Sequence, residues 1–315
     1  MTEMVGLASK VVAVPCATPL EAQIRELRTI AARAPRYNRR SKRPQNAVWL
    51  KLTVERFPRV SVVSRVRDDV GAGARYIGPF TSRRAATAAA EAVAEALPLR
   101  TCTQALSQRP KTSACVLADL GRCPAPCIGA VTPEEYSTIV TRAQVALGSD
   151  PAEIVDALTT RMEVLATQER YEEAGVWRDR LSALLRGVDL ATTSDVLGQI
   201  AQVVAARPTD DNGWEVHVIR HGRLAAAGTI PPRTDPAGPL AAILAGAEVV
   251  AEPIRPTSAA LPEETQILAK WLFSPGARLV DLTGTPLALP RRGAASRRAD
   301  FEVDLRDPIL DIAGR

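Results

Sequence analysis

Residues 100–129 read RTCTQALSQRPKTSACVLADLGRCPAPCIG, and this stretch separates an N-terminal third of the chain from a longer C-terminal part. It holds Cys102, Cys115, Cys123 and Cys127, four of the five cysteines in 315 residues. It shows neither helical nor strand periodicity, and Pro124 and Pro126 stiffen its last loop. Four thiolates from one irregular segment can make the tetrahedral shell of a zinc ion or hold an iron–sulfur cluster. The intervals of 12, 7 and 3 residues depart from the paired CxxC of a zinc ribbon, which argues mildly for iron–sulfur. Cys16 lies apart and reads as a core residue. No basic n-region opens the chain and Glu3 comes early, so an export signal is not expected. The thiols are then those of a reducing, cytoplasmic protein, in which metal binding is a better reading than disulfides.

Working outward toward the N-terminus, residues 82–97 form an Ala-rich helix starting at Ser82. Tyr76-Ile77-Gly78-Pro79-Phe80 reads as a strand end and turn. Residues 47–53 and 58–67 alternate as the two strands of a hairpin around Arg56-Phe57-Pro58. Residues 18–34 predict a helix, with Thr18 as N-cap, Pro19 in the first helical position and Glu21 three residues after the Thr. Between them runs a basic loop, RAPRYNRRSKR. Arg33, Arg36, Arg39, Arg40, Lys42 and Arg43 with the interleaved Tyr37 suit contact with a DNA backbone; the bland reading is a solvated charge run.

Toward the C-terminus, helices are expected at about 133–147, 151–168 and 171–186. Leu158, Met162 and Leu165 stack on one face of the second. Ala174, Trp177, Leu181 and Leu184 do the same on the third, so the pair predicts an αα-hairpin with one apolar stripe per helix. Two short stripes bury little by themselves, so either a partner surface or the chain's own domain must cover them. Beyond residue 190 the texture is that of a small α/β region. It has a short helix at about 194–206, strands at 214–220, 248–252 and 277–282, and helices at 236–246 and 262–273. His217 and His221 flank a hairpin strand and read as plain surface or strand residues. Residues 289–315 are basic and aperiodic, as a flexible tail would be.

Composition narrows the function. Residues 1–130 carry 21 Lys or Arg against 9 Asp or Glu, and residues 131–315 carry 19 against 26. A basic half beside an acidic one predicts contact with a polyanion through the first. The cations are 35 Arg and only 5 Lys, which suits phosphate and base recognition. With 52 Ala the same bias fits a GC-rich genome, but that does not explain the asymmetry. No stretch approaches 18 consecutive apolar residues, which excludes a membrane-spanning helix. There is no Ser/His/Asp set and no phosphate-cradling Gly loop.

Several of these stretches, in this order, resemble the UvrC family, the nuclease subunit of bacterial nucleotide excision repair. RTC, a following Cys, GRCPAPCIG and PEEY are similar to its cysteine region. PRYNRRSKRP, NAVWLKLT, FPRV and RYIGPFTSRRAA are similar to the elements before it. The resemblance implies that Cys102, Cys115, Cys123 and Cys127 hold an iron–sulfur cluster, zinc being the alternative. It also implies that residues 154–189 are a UVR hairpin that docks on UvrB. Tyr171, Glu172, Glu173, Ala174, Arg178 and Asp179 fall on its characteristic positions, and Leu158, Met162, Trp177 and Leu181 complete the expected partner face. Gly175 stands where Ala is usual, at about 1 kcal/mol in helix propensity.

The helix at 18–34 with Pro35-Arg36-Tyr37-Asn38 resembles the second half of a GIY-YIG nuclease domain. That implies a metal-holding Glu26 and a bracing Asn38. A lone carboxylate binds Mg²⁺ or Mn²⁺ only when phosphate and water complete the octahedron. The family's GIY and YIG strands would precede residue 1, and its RNase H-like half would follow the chain. Both absences fit an actinobacterial relative in which an exonuclease precedes the GIY-YIG domain, with this chain as its C-terminal part.

The expected fold is α+β, in six segments. Residues 1–45 are a partial GIY-YIG-like lobe, 46–131 a hairpin, helix and Cys-rich cluster region, and 132–153 a helical linker. Residues 154–189 are the UVR helical hairpin, 190–288 a small α/β linking domain and 289–315 a basic flexible tail. The expected function is excision repair through DNA and UvrB, with no membrane. The alternatives are a catalytically inactive repair module and an unrelated four-Cys zinc protein.

Overall fold

The structure of the protein is a computed structural model, which describes residue 6 and residues 10–36, 47–80, 82–106, 113–289, 293–298 and 300–301. In chain order its elements begin with α1 (Pro19–Arg33), β1 (Val48–Leu52), β2 (Val60–Val63), β3 (Arg75–Phe80), α2 (Arg83–Ala96) and α3 (Val116–Asp119). A 3-10 turn (Pro126–Ile128), α4 (Pro133–Gly148), α5 (Ala152–Thr167) and α6 (Tyr171–Gln199) come next. The last are β4 (Ile200–Pro208), β5 (Trp214–Arg220), β6 (Arg223–Ile230), α7 (Ala237–Ala245), α8 (Pro262–Leu272), β7 (Arg278–Gly284) and α9 (Ala294–Arg298). They divide into two compact units, Val48–Thr192 with Leu289–Arg315, and Met1–Ala47 with Thr193–Ala288. Every strand pairing among the described residues is antiparallel, so the architecture is α+β.

The first unit carries the cysteines. Its sheet has the order β2-β1-β3. The expected hairpin is β1–β2, with Leu50 opposite Val62 and Leu52 opposite Val60. Residues 75–80, expected as a strand end and turn, form the third strand and place Tyr76 opposite Lys51. One sheet face presents the fully buried Leu50, Leu52 and Ile77. Helix α2 lies on it through Ala86, Ala89, Ala92 and Val93, all buried, whose small side chains let the helix approach closely. The Ser82 hydroxyl caps α2 by accepting the Ala85 N–H at 3.2 Å. Thr132 and Glu135 form a capping box at the start of α4.

Helix α6 does not stop at 186 but runs to Gln199. Gly187 sits inside it because a Cβ there would lie 2.4 Å from Phe80 Cζ and 3.0 Å from Ile77 Cγ2. The segment expected as a tail contributes α9. Its Ala294 is buried in the core of this unit, and Arg298 Nη1 lies 3.1 Å from Asp189.

The second unit is a four-stranded sheet of order β6-β5-β4-β7. The short helix expected at 194–206 is instead the end of α6 followed by β4, and residues 248–252 form no strand. Helices α1 and α8 cover one face through Leu20, Ile24, Leu268 and Leu272 against Val203 and Ile219. Helix α7 rests on the other, over Val204, Val216 and Val218.

His217, read from the sequence as a surface or strand residue, is fully buried. Its Nε2 lies 2.8 Å from the Thr18 hydroxyl, which also caps α1 by accepting the Glu21 N–H at 3.1 Å. Burial pushes the His217 pKa from 6.5 down to about 4; nearby Arg207 adds to this and Glu215 opposes it. The unfolded chain therefore takes a proton as pH falls below about 6.5, while the folded state stays neutral until about 4. Stability is complete above the unfolded pKa and is lost as pH falls through this window. The full loss is roughly 3 kcal/mol at about 1.36 kcal/mol per pKa unit. Urea unfolding followed by Trp214 and Trp271 fluorescence at pH 7 and pH 4.5 checks it. His217→Gln should flatten the pH dependence; an undiminished slope in the variant would refute the assignment.

Candidate functional site

The four cysteines lie on the irregular segment that leaves α2. All are free thiols; Cys102, Cys123 and Cys127 are partly buried and Cys115 is exposed. Cys115 stands at the N-cap of α3 and Cys127 inside the 3-10 turn. Ala125 and Gly129 take left-handed conformations, φ 53° and 76°, and turn the chain on either side of Cys127. Burial pushes the Cys123 thiol up. The Ala125 N–H donated to its sulfur opposes that, and the sulfurs of Cys102, Cys115 and Cys127 push it up further. The four thiols are thus electrostatic neighbours. As they stand, no three His, Cys, Asp or Glu side chains among the described residues are close enough to hold a metal ion. The donor chemistry of four thiols suits a thiophilic metal.

What anchors this segment escaped the sequence reading. Arg100 is 1% exposed. Its Nε donates to Phe57 O at 2.7 Å, and its Nη1 donates to Cys102 O at 2.9 Å and Gln104 O at 3.1 Å. Nη1 also lies 3.4 Å from Cys102 Sγ, and Nη2 is paired with Glu55. The Tyr136 hydroxyl accepts the Arg100 backbone N–H at 2.9 Å and donates to Pro58 O at 2.8 Å. Burial, first of all, pushes the Tyr136 pKa up to about 12, so this phenol stays a neutral donor. The Phe57 ring meets Tyr136 edge-on at 5.4 Å. Pattern reading had one signal for Arg100, a lone cation directly after Leu97 and Leu99, both of which are buried.

The remaining candidates divide. Glu26 is exposed, on the side of α1 away from the buried Leu20, Ile24 and Leu27. Arg33 and Arg36 are exposed as well. Tyr37, Asn38, Arg39, Arg40, Lys42 and Arg43 lie outside the described residues. The hairpin stripe is turned inward: Leu158, Trp177 and Leu181 are buried in the core of their own unit, with Met162 and Ala174 packed against it. The free partner face read from the sequence is thus already covered, because the sheet, α2 and α4 occupy the room a partner would take. Arg161 and Arg180 flank the Trp177 ring at 5.6 and 4.3 Å. The large apolar residues that the hairpin exposes flank its bend: Tyr171 is 66% exposed and Val164 and Val176 49% each, with Arg178 partly exposed beside Asp179. Among the described residues no helix is long and apolar enough to cross a membrane.

Comparison with known proteins places this geometry. No solved structure matches the chain. A bifunctional exonuclease/endonuclease protein of Mycobacterium tuberculosis is 38% identical over 93% of this chain and 45% of its own length. The UvrABC system protein C of Desulforudis audaxviator is 32% identical over 98% of this chain and 53% of its own. That of Nitratidesulfovibrio vulgaris is 34% identical over 55% of this chain and 25% of its own. The chain therefore spans about half the length, or less, of these relatives. Residues 47–146, which hold the sheet, α2 and all four clustered cysteines, match the UvrC/Cho excinuclease middle domain, and it is in that domain that the family likeness of this chain is established.

Proposed function

We propose that the chain works in nucleotide excision repair as a UvrC-type protein that binds DNA and UvrB and carries a remnant of a GIY-YIG endonuclease site. The observation that supports this most is the middle-domain match at residues 47–146 within a chain similar to UvrC over most of its length. DNA contact falls to the basic N-terminal half, Arg33 and Arg36 included. Contact with UvrB falls to the hairpin bend, where Tyr171 and Val176 are exposed and Arg178 is partly so.

Cys102, Cys115, Cys123 and Cys127 would hold an iron–sulfur cluster, with zinc as the alternative. When bound, either group cross-links a segment that otherwise has little regular structure. The residues of this chain prepare that site by packing: Tyr136 and Phe57 fix the start of the segment, and Pro126 shapes its end. At the nuclease remnant, Glu26 would bind Mg²⁺ or Mn²⁺ together with substrate phosphate.

The exposed, solitary Glu26 favours a second reading, a non-cleaving module that recruits repair partners. One assay separates the two. Damaged duplex is incubated with the protein, UvrA and UvrB, with and without Mg²⁺ or Mn²⁺. Divalent-dependent nicking that disappears in Glu26→Ala supports the endonuclease, and binding without nicking supports the module. Failure to bind both duplex and UvrB would refute both. Tyr171→Asp with Val176→Asp should weaken UvrB capture about tenfold or more, as loss of an aromatic anchor does. Unchanged capture in the folded double variant would exclude the bend.

A further inference from the structure

We propose that Arg100 is a positioning residue for the four-cysteine site, fixing the Cys102 sulfur and offsetting the negative charge that thiolate ligation builds there. The inference rests on the reading of those cysteines as a metal or cluster site. Three observations carry it. The guanidinium is almost fully buried, where a charge is costly unless it is paired and hydrogen-bonded. Its Nη1 reaches both the carbonyl and the sulfur of Cys102, at 2.9 and 3.4 Å. Its other donors are committed to Phe57 O and Glu55, so the fork cannot swing away.

Charge makes the arrangement intelligible. Glu55 is shared between Arg100 and Arg59, is one third exposed and faces one end of the fork, while the sulfur faces the other. Four thiolates around a divalent core leave net negative charge, and N–H donors to ligand sulfur are a general means of stabilising it. Ala125 supplies such a donor to Cys123 from the backbone. Arg100 supplies one to Cys102 from a side chain that the fold holds rigid before any metal arrives. Cys115, by contrast, is exposed at the N-cap of α3, whereas the Cys102 sulfur already faces a fixed donor in the folded chain.

The test titrates the full chain with Co²⁺ alone, reading sulfur-to-metal charge-transfer absorption. Cys123→Ser is the control for the site itself. Arg100→Lys keeps the charge but loses the planar fork. The expected result is Co²⁺ binding by the parent protein, loss of the bands in Cys123→Ser, and affinity about 10–100-fold lower in Arg100→Lys. A purely structural role would lower the melting temperature of Arg100→Lys and leave the Co²⁺ affinity of the folded protein unchanged; that outcome overturns the proposal. Should Arg100→Lys not fold, the parent protein suffices. Its ¹⁵N-labelled Arg100 guanidinium signals should shift as Zn²⁺ fills the site, and signals that do not move overturn the proposal. A parent protein that binds neither Co²⁺ nor Zn²⁺ refutes the cysteine-site reading itself, and this inference with it.

Discussion

Replacing Arg100 with Ala is expected to destabilise the cysteine-bearing unit by about 3–5 kcal/mol, the range for breaking a buried, hydrogen-bonded ion pair. The substitution removes the guanidinium donors that tie residue 100 to Phe57 O and Glu55 in the β1–β2 connection and to the carbonyls of residues 102 and 104. Phe57 O, Cys102 O and Gln104 O lose partners at 2.7, 2.9 and 3.1 Å, and Glu55 loses one of two cations, keeping Arg59 at 3.4 Å. Each orphaned polar group costs about 1–3 kcal/mol where water cannot replace the donor. The backbone N–H of residue 100 keeps its bond to the Tyr136 hydroxyl, so the loss is bounded. Trp49 and Trp177 both lie in this unit, and urea unfolding followed by their fluorescence reads the change. To isolate that signal, Trp214 and Trp271 are made Phe in parent and variant alike. A loss below about 1 kcal/mol would mean that water replaces the guanidinium, and Arg100 would then be no anchor.

The same residue marks the boundary of what a sequence can disclose. The cysteine spacing is local, and in the structure Cys115 stands at the N-cap of α3 and Cys127 in the 3-10 turn. Thr18 and Ser82 were legible as helix starts because capping is settled within four residues, and both cap where the pattern places them. Arg100 is different: its partners are Glu55 and Phe57, some forty residues away, and no periodicity announces them. The helix expected to end at about 186 instead passes through Gly187, where the Phe80 ring fills the space a side chain would need.

Helix stripes carry a related ambiguity. The spacing of Leu158, Trp177 and Leu181 states that something covers them. It cannot state whether the cover is a partner or the chain's own core, and here it is the core. His217 shows the analogous limit for strands. Alternation in Trp214–Arg220 sets Glu215, His217 and Ile219 on one face, but both faces of β5 are covered. A polar residue there must find a partner, and Thr18, 199 positions away, supplies it.

Glu264→Ala is expected to cost the four-stranded unit about as much as Arg100→Ala costs the other, again about 3–5 kcal/mol. Glu264 is fully buried at the start of α8. Its carboxylate accepts from Arg28 Nε at 2.9 Å and Nη2 at 2.6 Å, and from the Leu224 N–H at 2.9 Å. Arg28 Nη2 in turn donates to Leu224 O at 2.8 Å. One carboxylate thus joins α1, β6 and α8, and its removal leaves a buried N–H and a half-buried guanidinium without their acceptor. Arg28 retains Glu248 at 3.7 Å as a weaker partner, so Arg28 is the less costly of the two to strand. Glu264→Gln keeps the shape and one acceptor oxygen but loses the bidentate charge pair, and should fall between Ala and the parent. The readout is urea unfolding by Trp214 and Trp271 fluorescence, with Trp49 and Trp177 made Phe throughout. Because α1 also carries Glu26, loosening this junction should depress any Glu26-dependent nicking in parallel with stability. Equal stability of the Gln variant and the parent would show that the carboxylate's charge contributes nothing, and equal stability of the Ala variant and the parent would leave the junction resting on the apolar contacts of Leu20 and Ile24 alone.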